Sequence, residues 1–187
     1  FWLKPLTGGP AHGVVCRMAP LSLGDGAAPE RIAVSVAGTE DRLTYGDLFR
    51  LSDDLGASLW QQPGISVGDT VASCLPRDRA VLQLVAFLGT TGSRLVAAPL
   101  NPDLRSHDLR FYIEDARTRC LLVAPCQPDG GCRGQDAAAG LGVPVCQIAL
   151  EFGARVAAPR LSVAPGPGAA AVRPGAVAPH QRHDLQA

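Results

Sequence analysis

Ser106, His107 and Asp108 are three consecutive residues that together hold the side chains of a hydrolytic triad. A working triad lines up a nucleophile, a base and an orienting carboxylate. Adjacent residues on a helix point in different directions, so a helical run of these three cannot form that line. We interpret Ser106 as the N-cap of a helix and Asp108 as an acid in its positively polarised first turn.

The segment "FLGTTGSR", residues 87–94, has the glycines and hydroxyls of a phosphate-binding loop. Such a loop follows a strand and opens a helix, because the amide N–H groups at a helix start point at the anion. Here the apolar pattern predicts the reverse order, with a helix that ends at Gly89 and a strand that begins at Leu95. We therefore expect a helix end and a turn.

Residue types that bind metals or act as acids are present, but they are not spaced as in metal or catalytic sites. His180 and His183 lie in the final segment, "PHQRHDLQA", where nothing predicts a helix and Asp184 is the nearest acid. The pair Asp53–Asp54 falls on the exposed face of a predicted helix. No C-x-x-C pair, the usual element of a structural zinc site, occurs among the cysteines Cys16, Cys74, Cys120, Cys126, Cys132 and Cys146. We expect no catalytic, cofactor-binding or metal-binding residue in this chain.

Three of the cysteines indicate a compartment. Cys74, Cys120 and Cys146 lie within apolar runs and are predicted to be buried free thiols, as in a reducing compartment. The opening "FWLKPLTGGP" lacks the apolar stretch of a signal peptide, and no stretch approaches the ~20 apolar residues of a membrane span. We expect a cytoplasmic protein, although a full-length parent with a C-terminal address could be peroxisomal.

Charge excludes one class of partner. The 187 residues include 17 Lys and Arg and 17 Asp and Glu, so the formal net charge is zero. Proteins that bind nucleic acids by charge carry a basic patch, and this sequence has no cluster of Lys and Arg. We expect no nucleic-acid partner.

The elements that would position any site are predicted by apolar periodicity. Strands are predicted in the apolar runs "RIAVSVAG", "TVASCLP", "RLVAAPLN", "RCLLVAP" and "VPVCQIAL". A helix is predicted to begin after Thr44, which forms a capping box with Asp47 and precedes apolar positions at helical spacing, Leu48, Leu51, Leu55 and Leu59. Apolar strands that alternate with helices are typical of buried parallel sheets. The predicted fold is α/β, a layered parallel Rossmann-like sheet with a disordered C-terminal tail.

Three further helices are predicted. One spans about residues 78–90, with its inner face formed by Val81, Leu84, Val85 and Leu88. Another follows Ser106, with its inner face formed by Leu109, Tyr112, Ile113 and Ala116. A short one lies in "QDAAAGLG", where a glycine ends it.

The chain divides into three parts by composition. Residues 1–28 form an irregular lead-in, within which Met18 is a candidate start of translation. Residues 29–150 form the α/β subdomain. Residues 151–187 are rich in Ala, Pro and Gly and follow neither the helical nor the strand period, so we expect a disordered tail.

The order of the motifs resembles the N-terminal part of the adenylate-forming acyl-CoA synthetases. The resemblance is carried over about residues 28–150 by "LTYGDLFRLSDDLGASL", "GISVGDTVASCLP" and "LVAAPLNPDLRSHDLRFYIEDARTRCLLV". Within that superfamily, "AAPLNPDLRSHDLRFYIEDA" is most similar to the oxalate–CoA ligase and 4-coumarate–CoA ligase-like branch. One departure is Arg77, where the family usually has Asn after "CLP".

The resemblance implies an activity, an ATP-dependent joining of a carboxylic acid to CoA through an acyl-adenylate, with magnesium. It also implies that the phosphate loop, the acid pocket and the catalytic lysine come after the matched region. This chain is then an N-terminal fragment that is inactive alone. Its partners would be a small carboxylic acid, oxalate among them, and the missing C-terminal part of the ligase.

The final segment, "PHQRHDLQA", gives a reason for expecting a fragment. GC-rich codons for "PHQRHDLQA", read one nucleotide further on, spell H-T-S-G-T-T-S-R, which resembles the family's phosphate loop. We therefore expect a loss of the reading frame after about residue 150. The alternative is a genuine disordered tail.

Two other functions stay open. A Rossmann-like module could bind a ligand or a partner without catalysis, in a crevice at the carboxyl ends of the strands, where the sequence offers Asn101 and neighbouring loop residues. A free-standing flavodoxin-like protein is the third possibility, although no phosphate loop follows its first strand.

Overall fold

The computed structural model describes residues 28–36, 41–125, 132–152 and 159–166. Its elements in chain order are β1 (Ile32–Ser35), β2 (Arg42–Thr44), α1 (Tyr45–Trp60), β3 (Thr70–Cys74), a short 3-10 turn (Arg77–Arg79), α2 (Ala80–Gly92), β4 (Val96–Pro99), α3 (Ser106–Asp115), β5 (Thr118–Val123), α4 (Arg133–Ala139), β6 (Val145–Glu151) and β7 (Arg160–Pro165).

Five strands form the central sheet, in the order β4-β3-β5-β6-β7. β3 pairs in parallel with β4 and with β5, and β5 pairs in parallel with β6, whereas β7 is antiparallel to β6. The predicted α/β class with a mostly parallel sheet is therefore confirmed. The run "RIAVSVAG" lies outside this sheet, because its strand β1 pairs antiparallel with β2 in a separate two-stranded sheet.

α1 begins as the sequence predicts. The Thr44 hydroxyl accepts a hydrogen bond from the Asp47 backbone N–H at 3.1 Å, and the Thr44 N–H donates to the Asp47 carboxylate at 3.3 Å. The four predicted leucines of the inner face, Leu48, Leu51, Leu55 and Leu59, are all buried. With α2 they cover one face of the sheet.

The inner face of α2 differs from the prediction. Val85 is buried as predicted, but Val81, Leu84 and Leu88 are only half-buried, and the remaining buried positions are Leu82, Ala86, Gly89 and Thr90. The helix also continues past Gly89 to Gly92. The physical reason is that α2 lies against α1, and small residues at the contact let the two backbones approach closely.

α3 and α4 cover the other face of the sheet, and two details of α3 were wrong. The N-cap is Arg105, which makes no side-chain capping bond, and Ser106 is the first helical residue. Leu109 and Ile113 are fully buried, but Tyr112 is 45% exposed. Positions four apart share one helix face, so a face centred on Leu109 and Ile113 leaves Tyr112 on the flank.

β7 corrects the prediction of disorder across residues 151–187. Residues 160–165 pair with β6 over six positions, and Leu161 and Val163 pack against the core. The segment "RLSVAP" alternates apolar and polar side chains, a short strand pattern that the overall composition of the tail conceals. The rest of the tail from residue 167, the lead-in through residue 27 with Cys16 and Met18, and Cys126 lie outside the described residues.

Candidate site at the carboxyl edge of the sheet

The strand order identifies one edge of the sheet as the place for a ligand. α2, which follows β3, packs with α1 on one face, whereas α4, which follows β5, packs with α3 on the other. β3 and β5 are parallel, but from β3 the chain adds β4 on one side and from β5 it adds β6 on the other, so the strand order reverses between β3 and β5. Ligands of open α/β sheets bind outside the carboxyl ends of the strands at such a switch point.

Three polar side chains meet beside this switch point, in the loops after β3 and β4. Arg77 Nε lies 2.8 Å from the Asp103 carboxylate, and an Arg77 Nη donates to Asn101 Oδ1 at 3.3 Å. Asn101 Oδ1 also accepts from the Asp103 backbone N–H at 3.0 Å. The three groups satisfy one another and join the two loops. Sequence reasoning named Asn101 and Arg77 separately, but missed Asp103, because only the parallel pairing of β3 and β4 brings them together.

The carboxyl end of β3 is closed by packing. Cys74 is buried there, and a Cβ built at Gly134 of α4 would lie 3.0 Å from its sulfur. Burial raises the pKa of the Cys74 thiol, so it stays protonated and is a poor nucleophile at neutral pH. On the same strand, Gln83 Nε2 donates to the Ser73 hydroxyl at 2.8 Å.

Ser106, His107 and Asp108, which we expect not to form a triad, lie at the start of α3. His107 Nε2 lies 3.0 Å from the Asp108 carboxylate, and the side chains are 72% and 40% exposed, respectively. Ser106 is exposed as well. The arrangement is a solvated pair in the first turn of α3.

Residues 87–94 form the end of α2 and the turn that follows it. Ser93 N–H donates to the carbonyls of Gly89 and Thr90, Arg94 N–H to Thr91, and Leu95 N–H to Thr90. The N–H groups of Ser93, Arg94 and Leu95 therefore donate to carbonyls within the turn and do not point at a bound anion. This agrees with the order of helix and strand that the sequence predicts.

Cys74, Cys120 and Cys146 are free and buried, as predicted. Cys120 and Cys146 lie on neighbouring strands with their sulfurs 3.4 Å apart, and the hydrogen bond between them, with burial, raises the pKa of Cys120. Cys132 is in a disulfide, which the sequence analysis did not predict.

Asp53 and Asp54 are exposed on α1, and Asp54 lies 3.6 Å from the Arg50 guanidinium. Within the described ranges, no three His, Cys, Asp or Glu side chains are grouped as metal ligands. Nor is any helix of that part of the chain long and apolar enough to cross a membrane. His180 and His183 lie outside the described residues.

Comparison with known proteins gives these elements a context. The sequence model of a family described as AMP-binding enzyme matches residues 25–183. An oxalate–CoA ligase of Arabidopsis thaliana is 33% identical over 60% of this chain and 21% of its own length. A probable CoA ligase of Humulus lupulus is 34% identical over 51% of this chain and 18% of its own length.

A solved structure of a related protein has a similar fold. ATP-bound MatB from Rhodopseudomonas palustris superposes with a TM-score of 0.55 and 28% identity, over 67% of this chain and 23% of MatB. The chain thus spans about a fifth of the length of the relatives it matches.

Proposed function

Because the chain belongs to the AMP-binding enzyme family, we propose that it is the N-terminal part of an ATP-dependent acyl-CoA ligase. In the proposed reaction a carboxylate attacks the α-phosphorus of ATP, and pyrophosphate leaves. The CoA thiol then attacks the acyl-adenylate carbonyl, and AMP leaves. The observation that carries the proposal is the family match over residues 25–183, in a chain that covers about a fifth of its relatives.

The residues described at the carboxyl edge do not fit ATP or magnesium. Stabilising the charge of a transferring phosphoryl group needs convergent amides, hydroxyls and a cation. Arg77 is instead held by Asp103, and the Cys74 thiol is buried. This favours a structural role for the matched region and predicts no adenylation by this chain alone. It also weighs against a free-standing nucleotide-binding module, which would need such groups here.

Oxalate is the acid that we propose for the full-length enzyme. Support comes from the Arabidopsis oxalate–CoA ligase, which is 33% identical over 113 residues, and from the motif "AAPLNPDLRSHDLRFYIEDA". The resemblance to the family implies that the acid pocket comes after the matched region. The choice of acid is therefore tested on the full-length enzyme.

We propose further that the phosphate loop of the gene is present but read out of frame in "PHQRHDLQA". β7 supports a frame that stays intact through residue 165, since its register with β6 is regular and its apolar residues face the core. That position is later than the one expected from composition, about residue 150.

The test is ATP–pyrophosphate exchange. We expect the 187-residue chain to give no exchange above background with any carboxylate. The frame-restored, full-length enzyme should exchange with oxalate more efficiently than with longer dicarboxylates. Exchange by the 187-residue chain would overturn the assignment as an inactive part, and a full-length enzyme that exchanges with no carboxylate would overturn the ligase assignment.

A further inference from the structure

Two thiols in the core lie close together and take no part in the proposed reaction. Cys120 of β5 and Cys146 of β6 are both fully buried, and their sulfurs are 3.4 Å apart. They belong to the apolar cluster between the sheet and the helices α1 and α2. Two thiols at this distance can form a disulfide, hold one atom that bonds to both sulfurs, or pack as small apolar groups. Strand geometry decides between the first two.

A disulfide does not fit the register of the two strands. Cys146 pairs with Leu122, so Cys120 lies two residues before the position opposite Cys146. Two residues along a strand rise about 6.6 Å and neighbouring strands are about 4.8 Å apart, which places the two Cα atoms about 8 Å apart. Cysteines whose Cα atoms are more than about 7 Å apart cannot be joined without backbone movement. An atom between the sulfurs adds length, and therefore spans this separation.

The burial of the sulfurs argues against a metal ion as that atom. Zinc takes four ligands in structural sites, and within the part of the chain that the structure describes no three His, Cys, Asp or Glu side chains are grouped. Copper(I) held by two thiolates leaves a net negative charge, which is costly to bury in an apolar core. The bridging atom must therefore bond to both sulfurs and leave a neutral group.

The distance between the sulfurs fixes the angle at the bridging atom. Two bonds of about 2.3 Å, the length of a Zn–S bond, join sulfurs that are 3.4 Å apart at an angle of about 95°. A linear ion such as mercury(II) needs sulfurs about 4.6 Å apart on the same bond length. Trivalent arsenic is pyramidal, with bond angles close to a right angle, because a lone pair occupies its fourth position. Arsenous acid is also uncharged at neutral pH, as a reagent that enters an apolar core should be.

We propose that Cys120 and Cys146 form a covalent site for trivalent arsenic, an inference that does not depend on the ligase assignment. In the reaction with arsenous acid, two S–H bonds and two As–OH bonds break, two As–S bonds form, and two water molecules leave. The product holds one hydroxyl on an arsenic that is bonded to both sulfurs. It is neutral, and no oxidant or reductant takes part. The bridge joins β5 to β6 in the folded state, and so raises the melting temperature.

The test incubates the folded 187-residue chain with sodium arsenite overnight, so that local opening of the core exposes the sulfurs. Glutathione is then titrated in, and bound arsenic is counted by intact mass. Two linked contacts gain about 10²–10⁴ in affinity over one, so we expect Cys120→Ala and Cys146→Ala each to lose one arsenic at a glutathione concentration at least about a hundredfold lower than the wild type. The matched control is Cys74→Ala, which removes a buried free thiol on the other face of the sheet. It should retain arsenic as the wild type does.

Peptide mapping of the wild type needs no variant, and should find the peptides of Cys120 and Cys146 joined through arsenic. A wild-type chain that takes up no arsenic overturns the proposal, and so do variants that retain it as the wild type does. An equal loss in Cys74→Ala also contradicts the assignment, because Cys74 lies in the opposite layer. A Cys120–Cys146 disulfide in the untreated chain would show that the strands close the gap by themselves, and would overturn the geometric argument.

Discussion

Gly89 in α2 faces the backbone of Ser52 in α1, and a Cβ built at Gly89 would lie 2.7 Å from the Ser52 carbonyl oxygen. Alanine at this position gains about 1 kcal/mol of helix propensity. The oxygen belongs to a helix backbone and cannot turn aside, so the cost of overpacking lies in the upper part of its usual range, at about 2–3 kcal/mol. We expect Gly89→Ala to lower the free energy of unfolding, measured by urea denaturation, by about 1–2 kcal/mol.

Gly56 provides the control on the other helix. A Cβ there would meet the Ser93 hydroxyl, which can rotate, and its next neighbour is the Gly89 carbonyl oxygen at 3.4 Å. The double variant Gly56→Ala/Ser93→Ala should therefore be at least as stable as the wild type. A neutral Gly89→Ala would show that the two helices are not in close contact.

Thr44 and Asp47 cap the start of α1, and the stability that this capping box contributes depends on pH. Partial burial acts to raise the pKa of Asp47, but hydrogen bonds from Thr44 and Arg50 outweigh it and lower the pKa below 3.8. The stability that this carboxylate contributes is present above that pH and is lost as the pH falls through the folded-state pKa. Thr44→Ala should cost about 1 kcal/mol at neutral pH.

Acid titration of stability checks this coupling. We expect Thr44→Ala to reduce the loss of stability below about pH 4, because Asp47 no longer has a partner in Thr44. Thr44→Ser keeps the hydroxyl and should behave like the wild type. Identical acid profiles for Thr44→Ala and Thr44→Ser would contradict the capping box.

Arg117 ends α3 in a left-handed conformation, with φ of 50°. Its N–H donates to the Glu114 carbonyl at 2.9 Å, so the conformation closes the helix end, where glycine is the usual residue. We expect Arg117→Gly to raise the melting temperature, with a gain of about 0.5–1 kcal/mol. Arg117→Ala retains a Cβ and should give no gain, and an equal gain from both would rule out backbone strain as the cause.

Local rules explain what the sequence predicted well. The capping box of Thr44 and Asp47 and the order of helices and strands depend on neighbours within a few residues. Three features depend on tertiary partners instead. The inner face of α2 follows from contact with α1, the exposure of Tyr112 from the position of α4, and the strand at residues 160–165 from β6 beside it.

The polar cluster at the carboxyl edge also depends on tertiary partners. Arg77 and Asp103 are 26 residues apart and meet at 2.8 Å only because β3 and β4 lie side by side. Single-sequence periodicity predicts both strands, but not that they are neighbours. The sequence could therefore name Asn101 and its loop without showing that its polar groups satisfy one another.

The measurement that tests the ligase assignment most directly is the nucleotide sequence of the gene and its transcript, from the codon of Arg160 through and beyond "PHQRHDLQA". The account predicts that a one-base change after residue 165 restores H-T-S-G-T-T-S-R, followed by Pro, Lys and a long open frame. A transcript in which the printed frame is unambiguous, and in which no one-base change yields that loop, would contradict it.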